Sequence, residues 1–248
     1  MFVYDIRFDL KHDEEDADHA LTSFLGCMSG NNQIIFETLN ISGNDQYRIA
    51  RVTVPYKDSL EQSYYDCYTR EMFERLQPFL SKPVEISFVG EDFTYDDDIC
   101  DGKEANAYVL SSHPHMEDLS PIACVECRGN VPFYLLPKLS ESTQYALDSW
   151  HCAYIAYDKL FYATSVGEMH AHKMLSNTSS ALTKKGLEVC KLLEHELGKP
   201  VYYYLYRFYG KHKRTCPICG GDWKQPEGST YDFRCDTCKL VSTIIVQT

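Results

Sequence analysis

Apolar and polar positions alternate from the first residues: Phe2, Tyr4, Ile6, Phe8 and Leu10 are interleaved with Val3, Asp5, Arg7 and Asp9. A period of two puts the first set on one face of a strand. The acidic run at residues 13–18 then opens a short helix through Ala20, Leu21, Phe24 and Leu25, and Gly30-Asn31-Asn32 ends it. Negative charge suits a helix N-terminus. Residues 33–41 and 46–54 read as a hairpin around Ser42-Gly43-Asn44-Asp45. Asp58-Ser59 starts a second helix carrying Leu60, Tyr64, Tyr68, Met72, Phe73 and Leu76, and residues 84–89 form the next strand. The order is βαββαβ, which predicts a ferredoxin-like α+β arrangement.

Beyond it the period changes. Tyr145, Leu147, Trp150, Tyr154, Tyr157 and Leu160 place a helix over residues 142–160. Leu187, Cys190, Leu193 and Leu197 place another over 183–197, with Thr183 as N-cap, Gly198 past its end and Pro200 preventing continuation. A tyrosine-rich strand follows at 201–208, then the basic linker Lys211-His212-Lys213-Arg214. This divides the chain into an α+β domain at 1–106, a mixed helical and strand region at 107–210 packed on it, and a small segment at 211–248. Tyr202, Tyr204 and Tyr206 would share one strand face. Sheet packing is the first reading of that stripe, because a base-stacking platform usually lies in a basic groove and only Arg207 is at hand.

The small segment holds the sharpest chemistry. Cys216-Pro217-Ile218-Cys219-Gly220-Gly221 and Cys235-Asp236-Thr237-Cys238 give the spacing C-x2-C-x15-C-x2-C. Two residues between thiolates let a tight turn aim both sulfurs at one ion, and two such turns complete a tetrahedral Zn2+ site. A segment this short has too little core to fold alone, so metal is expected to hold it, with Trp223 and Phe233 as a hydrophobic seam. Four protein thiolates leave no open position, so hydrolysis at this zinc is not expected.

A further pair, Cys124-Val125-Glu126-Cys127, stands alone. A structural turn is its first reading, with half of a second metal site and a redox dithiol as alternatives. His113, His115, Cys100, Cys152, His170 and His172 are other donors, and none completes a recognised spacing. Residues 91–104 contain seven carboxylates against one lysine, without the offsets of an EF-hand, and read as a solvated loop. No G-x-S-x-G, P-loop, dinucleotide fingerprint or H-E-x-x-H occurs, so an enzyme is not expected.

Charge constrains the partner. The 248 residues carry 24 basic and 36 acidic side chains, net −12; the segment from 211 is net +2, leaving −14 on the rest. An acidic body repels phosphate backbones, so nucleic-acid contact would be confined to Lys211, Lys213, Arg214, Lys224, Arg234 and Lys239. Those cations also offset the net −2 of a four-thiolate zinc. No run of eighteen apolar residues and no basic leader at Met1 is visible, so a cytoplasmic protein without a membrane span is expected.

The runs Arg214-x-Cys216-Pro217-x-Cys219-Gly220-Gly221-x-Trp223 and Asp232-Phe233-Arg234-Cys235-Asp236-x-Cys238-Lys239-Leu240-Val241-Ser242 resemble a bacterial family of unknown function described as zinc-ribbon-containing, with nucleic-acid binding suggested for it. The likeness extends to Cys124-x-x-Cys127-x-Gly129-x-Val131-Pro132-x-Tyr134 and to Tyr202-Tyr203-Tyr204-Leu205-Tyr206-Arg207; Val125-Glu126 stands where the family looks more like Gly-Asp. The resemblance implies a C-terminal zinc ribbon. The expected function is a zinc-binding, non-enzymatic binding protein that contacts nucleic acid through the ribbon. The alternative is an acidic partner, of inhibitor or immunity type, for a basic toxin or nuclease.

Overall fold

The computed structural model describes residues 1–11, 15–93, 99–112, 120–163, 166–209 and 213–244. They divide into two compact units: Met1–Ile99 with Pro132–Lys138, and Cys100–Val131 with Leu139–Thr248.

In the first unit, β1 (Phe2–Asp9), α1 (Glu15–Gly30), β2 (Asn40–Asn44), β3 (Tyr47–Val54), α2 (Cys67–Leu76) and β4 (Glu85–Glu91) follow in order. The antiparallel sheet runs β2-β3-β1-β4, the ferredoxin-like order expected from the alternation. Ile6 and Phe8 of β1 join Ala50, Val52 and Val54 of β3 and Leu21, Phe24, Leu25 and Met28 of α1 in one buried core. Period two on the strands and period 3.6 on the helix bring those residues to the same layer.

Two local readings are corrected. Residues 33–39 do not extend the hairpin: Gln33 is buried with its amide on the Ser59 carbonyl at 2.8 Å, and Phe36–Thr38 forms a 3-10 turn. The second helix begins at Cys67, where the Asp66 carboxylate accepts from the Thr69 amide at 2.7 Å. Ser59 cannot cap it, because its hydroxyl is bonded to the Tyr56 carbonyl at 2.7 Å and to the Tyr134 hydroxyl at 2.7 Å.

The second unit has β5 (Tyr108–Leu110), β6 (Ile122–Cys124), α3 (Glu141–Tyr162), α4 (Glu168–Ser176), α5 (Ala181–Leu197), β7 (Val201–Tyr204), β8 (Phe233–Cys235) and β9 (Leu240–Ser242). Its sheet order is β6-β5-β7-β9-β8, with β7 parallel to both β5 and β9. The two strands of the cysteine-rich segment thus continue the sheet that starts at β6. The N-cap of α5 is Ser180, which accepts from the Thr183 amide at 3.1 Å; Thr183 lies inside the helix, fully buried. Gly198, at φ 66°, ends α5 as expected. The strand read over 201–208 pairs only to Tyr204. Tyr202, Tyr203, Tyr204 and Tyr206 are all buried, and the Tyr203 ring meets Trp150 of α3 edge-on at 6.0 Å. The stripe is sheet packing.

Among the described residues no helix is long and apolar enough to cross a membrane.

Candidate metal centre

The Cys216 turn closes through two backbone bonds, Cys216 N–H to the Gly221 carbonyl at 2.7 Å and Gly220 N–H to the Cys216 carbonyl at 2.9 Å. Gly220 sits at φ 75°, a conformation glycine adopts without cost. The second turn leaves the end of β8, with the Cys238 amide on Cys235 Sγ at 3.4 Å and Lys239 at φ 52°. These turns bring the sulfurs of Cys216, Cys219, Cys235 and Cys238 within 4.8 Å of one another. Cys219 and Cys235 Sγ are 3.7 Å apart. A tetrahedron with Zn–S bonds of about 2.3 Å has edges of about 3.8 Å, so the donor set fits an ion of that size and softness.

The seam beneath is buried. Trp223 and Phe233 are each 1% exposed with ring centroids 5.0 Å apart, and Arg207 lies over both rings at 5.5 and 5.6 Å. Trp223 also fixes the entering chain, its amide on the Arg214 carbonyl and its indole N–H on the Lys213 carbonyl, both at 3.1 Å.

The thiols are unequal. Burial raises those of Cys235 and Cys238 above the ordinary value. Cys219 is exposed, and its thiol is lowered to about 7 by the Gly221 amide and by bonds from the other three sulfurs.

The cations proposed for phosphate contact fall into two groups. Arg234 donates to Asp236 at 2.7 Å and to the Tyr202 hydroxyl at 2.8 Å, and its guanidinium covers the Tyr202 ring at 4.7 Å. Lys239 is 3.9 Å from Glu194 and 5.3 Å from the same ring. Both are built into the second unit. Lys213, Arg214 and Lys224 are exposed. Lys211 lies outside the described residues.

A second set of sulfurs also meets. Cys124 and Cys127 are joined by Cys100, all three within 4.8 Å of one another. Sequence spacing does not single out Cys100 from the other donors; its amide reaches the Asn130 carbonyl at 2.9 Å, a bond between segments distant in sequence. Burial raises the Cys100 thiol and pushes that of Cys124 up to about 12. Among the described residues, the other donors do not join either set: Cys152 is exposed on α3, and His170 and His172 lie on α4. His113, His115 and Asp96-Asp97-Asp98 lie outside the described residues. Within the rest of the acidic loop, Asp101 pairs with Lys103 at 3.0 Å.

Three family models match the chain, each described as a domain of unknown function: DUF8589 over residues 1–90, DUF2310 over 102–206 and DUF8594 over 209–247. Solved structures resemble only part of it. A Nitrosomonas europaea protein, provisionally assigned as an antibiotic biosynthesis monooxygenase, is 10% identical with a TM-score of 0.32, over 38% of this chain and 100% of that one. Two uncharacterized proteins of Haemophilus influenzae are each 32% identical over 166 residues, 64% of this chain. The matched region spans 81% of the first relative and 63% of the second. The chain belongs to the same family as this first Haemophilus influenzae protein, a family of unknown function.

Proposed function

We propose that the chain is a zinc protein that acts by binding rather than by catalysis, and that the exposed edge of its ribbon contacts nucleic-acid phosphates. The observation that carries the zinc assignment is the convergence of four thiols within 4.8 Å on two tight turns. Zinc suits them because it takes four sulfur ligands without geometric preference beyond the tetrahedron. A closed four-thiolate set supports a structural ion rather than a hydrolytic one.

The contact surface is narrower than the sequence offers. With Arg234 and Lys239 tied to Asp236, Tyr202 and Glu194, the described cations left for phosphate are Lys213, Arg214 and Lys224. Trp223 anchors the backbone under the first two. Three contacts give a log K against log salt slope of roughly −2 to −3 and affinity in the micromolar range. The test is fluorescence anisotropy of labelled duplex DNA and single-stranded RNA with the zinc-loaded full chain across a salt series. Charge reversal at Lys213 and Arg214 should abolish binding with zinc content unchanged. No binding by the full chain at low salt defeats the nucleic-acid reading.

The net −14 of residues 1–210 supports one other occupant, a basic protein drawn to an acidic surface. Nuclease-resistant recovery of one stoichiometric basic partner would favour it.

A further inference from the structure

The geometry points to a second metal site in this chain, formed by the thiolates of Cys100, Cys124 and Cys127, which take a thiophilic divalent cation independently of the ribbon.

The first argument is the turn itself. Cys124 N–H donates to the Gly129 carbonyl at 2.9 Å, and Arg128 N–H to the Cys124 carbonyl at 2.9 Å. These are the same two bonds, at the same offsets, that close the Cys216 turn onto Gly221 and Gly220. The residue after the second cysteine is left-handed in all three C-x-x-C turns: Arg128 at 66°, Gly220 at 75° and Lys239 at 52°. A non-glycine residue adopts that conformation at a cost, so the surroundings must over-determine it at Arg128. The Cys124 turn is therefore a metal knuckle in backbone terms, and not merely a bend that happens to contain two cysteines.

The second argument is the third sulfur. Cys100 stands within 4.8 Å of both others and repeats the amide-to-sulfur bond of a knuckle. Gly102 N–H reaches Cys100 Sγ at 3.4 Å, as Gly129 N–H reaches Cys127 Sγ at 3.4 Å. Gly102 is at φ 69°, a conformation glycine adopts without cost. Amides aimed at sulfur stabilise thiolate, the form a metal requires. A disulfide would use two of the three sulfurs and leave the third without a role.

The third argument concerns what the ion would hold. Glu126, within the knuckle, accepts through its carbonyl from the Thr230 hydroxyl at 3.2 Å, and Arg128 lies over the Tyr231 ring at 5.5 Å. Thr230 and Tyr231 belong to the loop of the ribbon that leads into β8. A metal at this knuckle clamps the Cys100 loop to the end of β6 directly against the ribbon. Its fourth ligand is not a thiolate of this set, so this ion should exchange faster than the ribbon's.

The experiment is zinc content of full-length protein purified without chelator, together with release to a chromogenic chelator. Two ions per chain, leaving in two phases, are expected. Cys100→Ser and Cys124→Ser should each remove the faster phase while Cys219 stays protected from alkylation. On the unmodified chain, the exposed Cys127 should resist iodoacetamide when zinc is bound and react once the faster-leaving ion alone has been withdrawn, with Cys219 still protected, which decides the matter even if the variants fail to fold. A single ion per chain, zinc content unchanged in Cys100→Ser, or Cys127 alkylation indifferent to zinc would overturn the site. The ribbon's own ion would be untouched by that result.

Discussion

Arg128 and Gly220 share a left-handed φ, 66° and 75°, and each donates its amide to the first cysteine's carbonyl from one residue after the second cysteine of a C-x-x-C turn. One turn has glycine where the left-handed region calls for it, and the other has arginine. The equivalence ties two distant stretches of sequence to one local geometry. It also separates what the cysteines share, the turn, from what joins each turn: a second C-x-x-C in the ribbon and the lone Cys100 beside Cys124 and Cys127.

The ribbon's cations should divide by experiment as they divide in space. Arg234→Ala removes two hydrogen bonds and the cover over Tyr202, and should lower stability by about 1–3 kcal/mol in thermal or urea unfolding. Lys213→Ala, at an exposed position, should change stability by less than about 0.5 kcal/mol. Equal effects would contradict the assignment of Arg234 to the contacts with Asp236 and Tyr202 rather than to open solvent.

Gly186→Ala should destabilise the protein although alanine is the better helix former. A Cβ at Gly186 of α5 would fall inside the contact radius of the Tyr203 ring and 2.7 Å from Trp150 Nε1. Overpacking costs about 1–3 kcal/mol, against a propensity gain of about 1 kcal/mol. A net loss of up to about 2 kcal/mol is expected in denaturant unfolding, and a gain would mean that α5 does not press on Tyr203 as described.

Much of this was legible in the sequence, and the rest was not for identifiable reasons. The ferredoxin-like order follows from alternation in β1 and from the helix periods, both local signals. The start of α2 does not. Asp58-Ser59 has the chemistry of a cap, yet Ser59 is engaged by Tyr134, 75 residues away. At α5 the cap and the buried threonine are three residues apart, and only the Ser180 bond to Thr183 N–H tells them apart. The four ribbon cysteines are legible because two residues between thiols encode a turn. Cys100 is not, because its partners arrive through the fold. The fate of Arg234 and Lys239 depends likewise on Tyr202 and Glu194, which no spacing rule connects to them.

Stability should fall in mild acid through His172. This side chain is 9% exposed on α4, its Nε2 accepts from the Tyr209 amide at 3.3 Å, and Phe161 and Tyr209 rings lie 5.8 and 4.9 Å away. Burial lowers its pKa below the ordinary 6.5, with Glu168 opposing. The unfolded chain therefore binds the proton first as pH falls through 6.5, and the folded state loses stability until His172 itself protonates. The slope for one group is at most about 1.4 kcal/mol per pH unit. His172→Gln should flatten the unfolding free energy as pH falls below about 6.5, before the carboxylates titrate. An unchanged slope would exclude His172 as its source.

The central claim is that metal holds the four ribbon thiols, and Cys219 reports it most directly. It is exposed, whereas Cys216 and Cys235 are buried and Cys238 half-buried, so it should be the first of the four that a soluble alkylating agent reaches when no metal holds it. The measurement is the rate of iodoacetamide modification at Cys219, mapped by peptide, in freshly purified full-length protein before and after zinc is removed. Strong protection before removal, lost with the metal and restored by adding zinc back, is the predicted result. Rapid modification of Cys219 at the same rate in both states would contradict it.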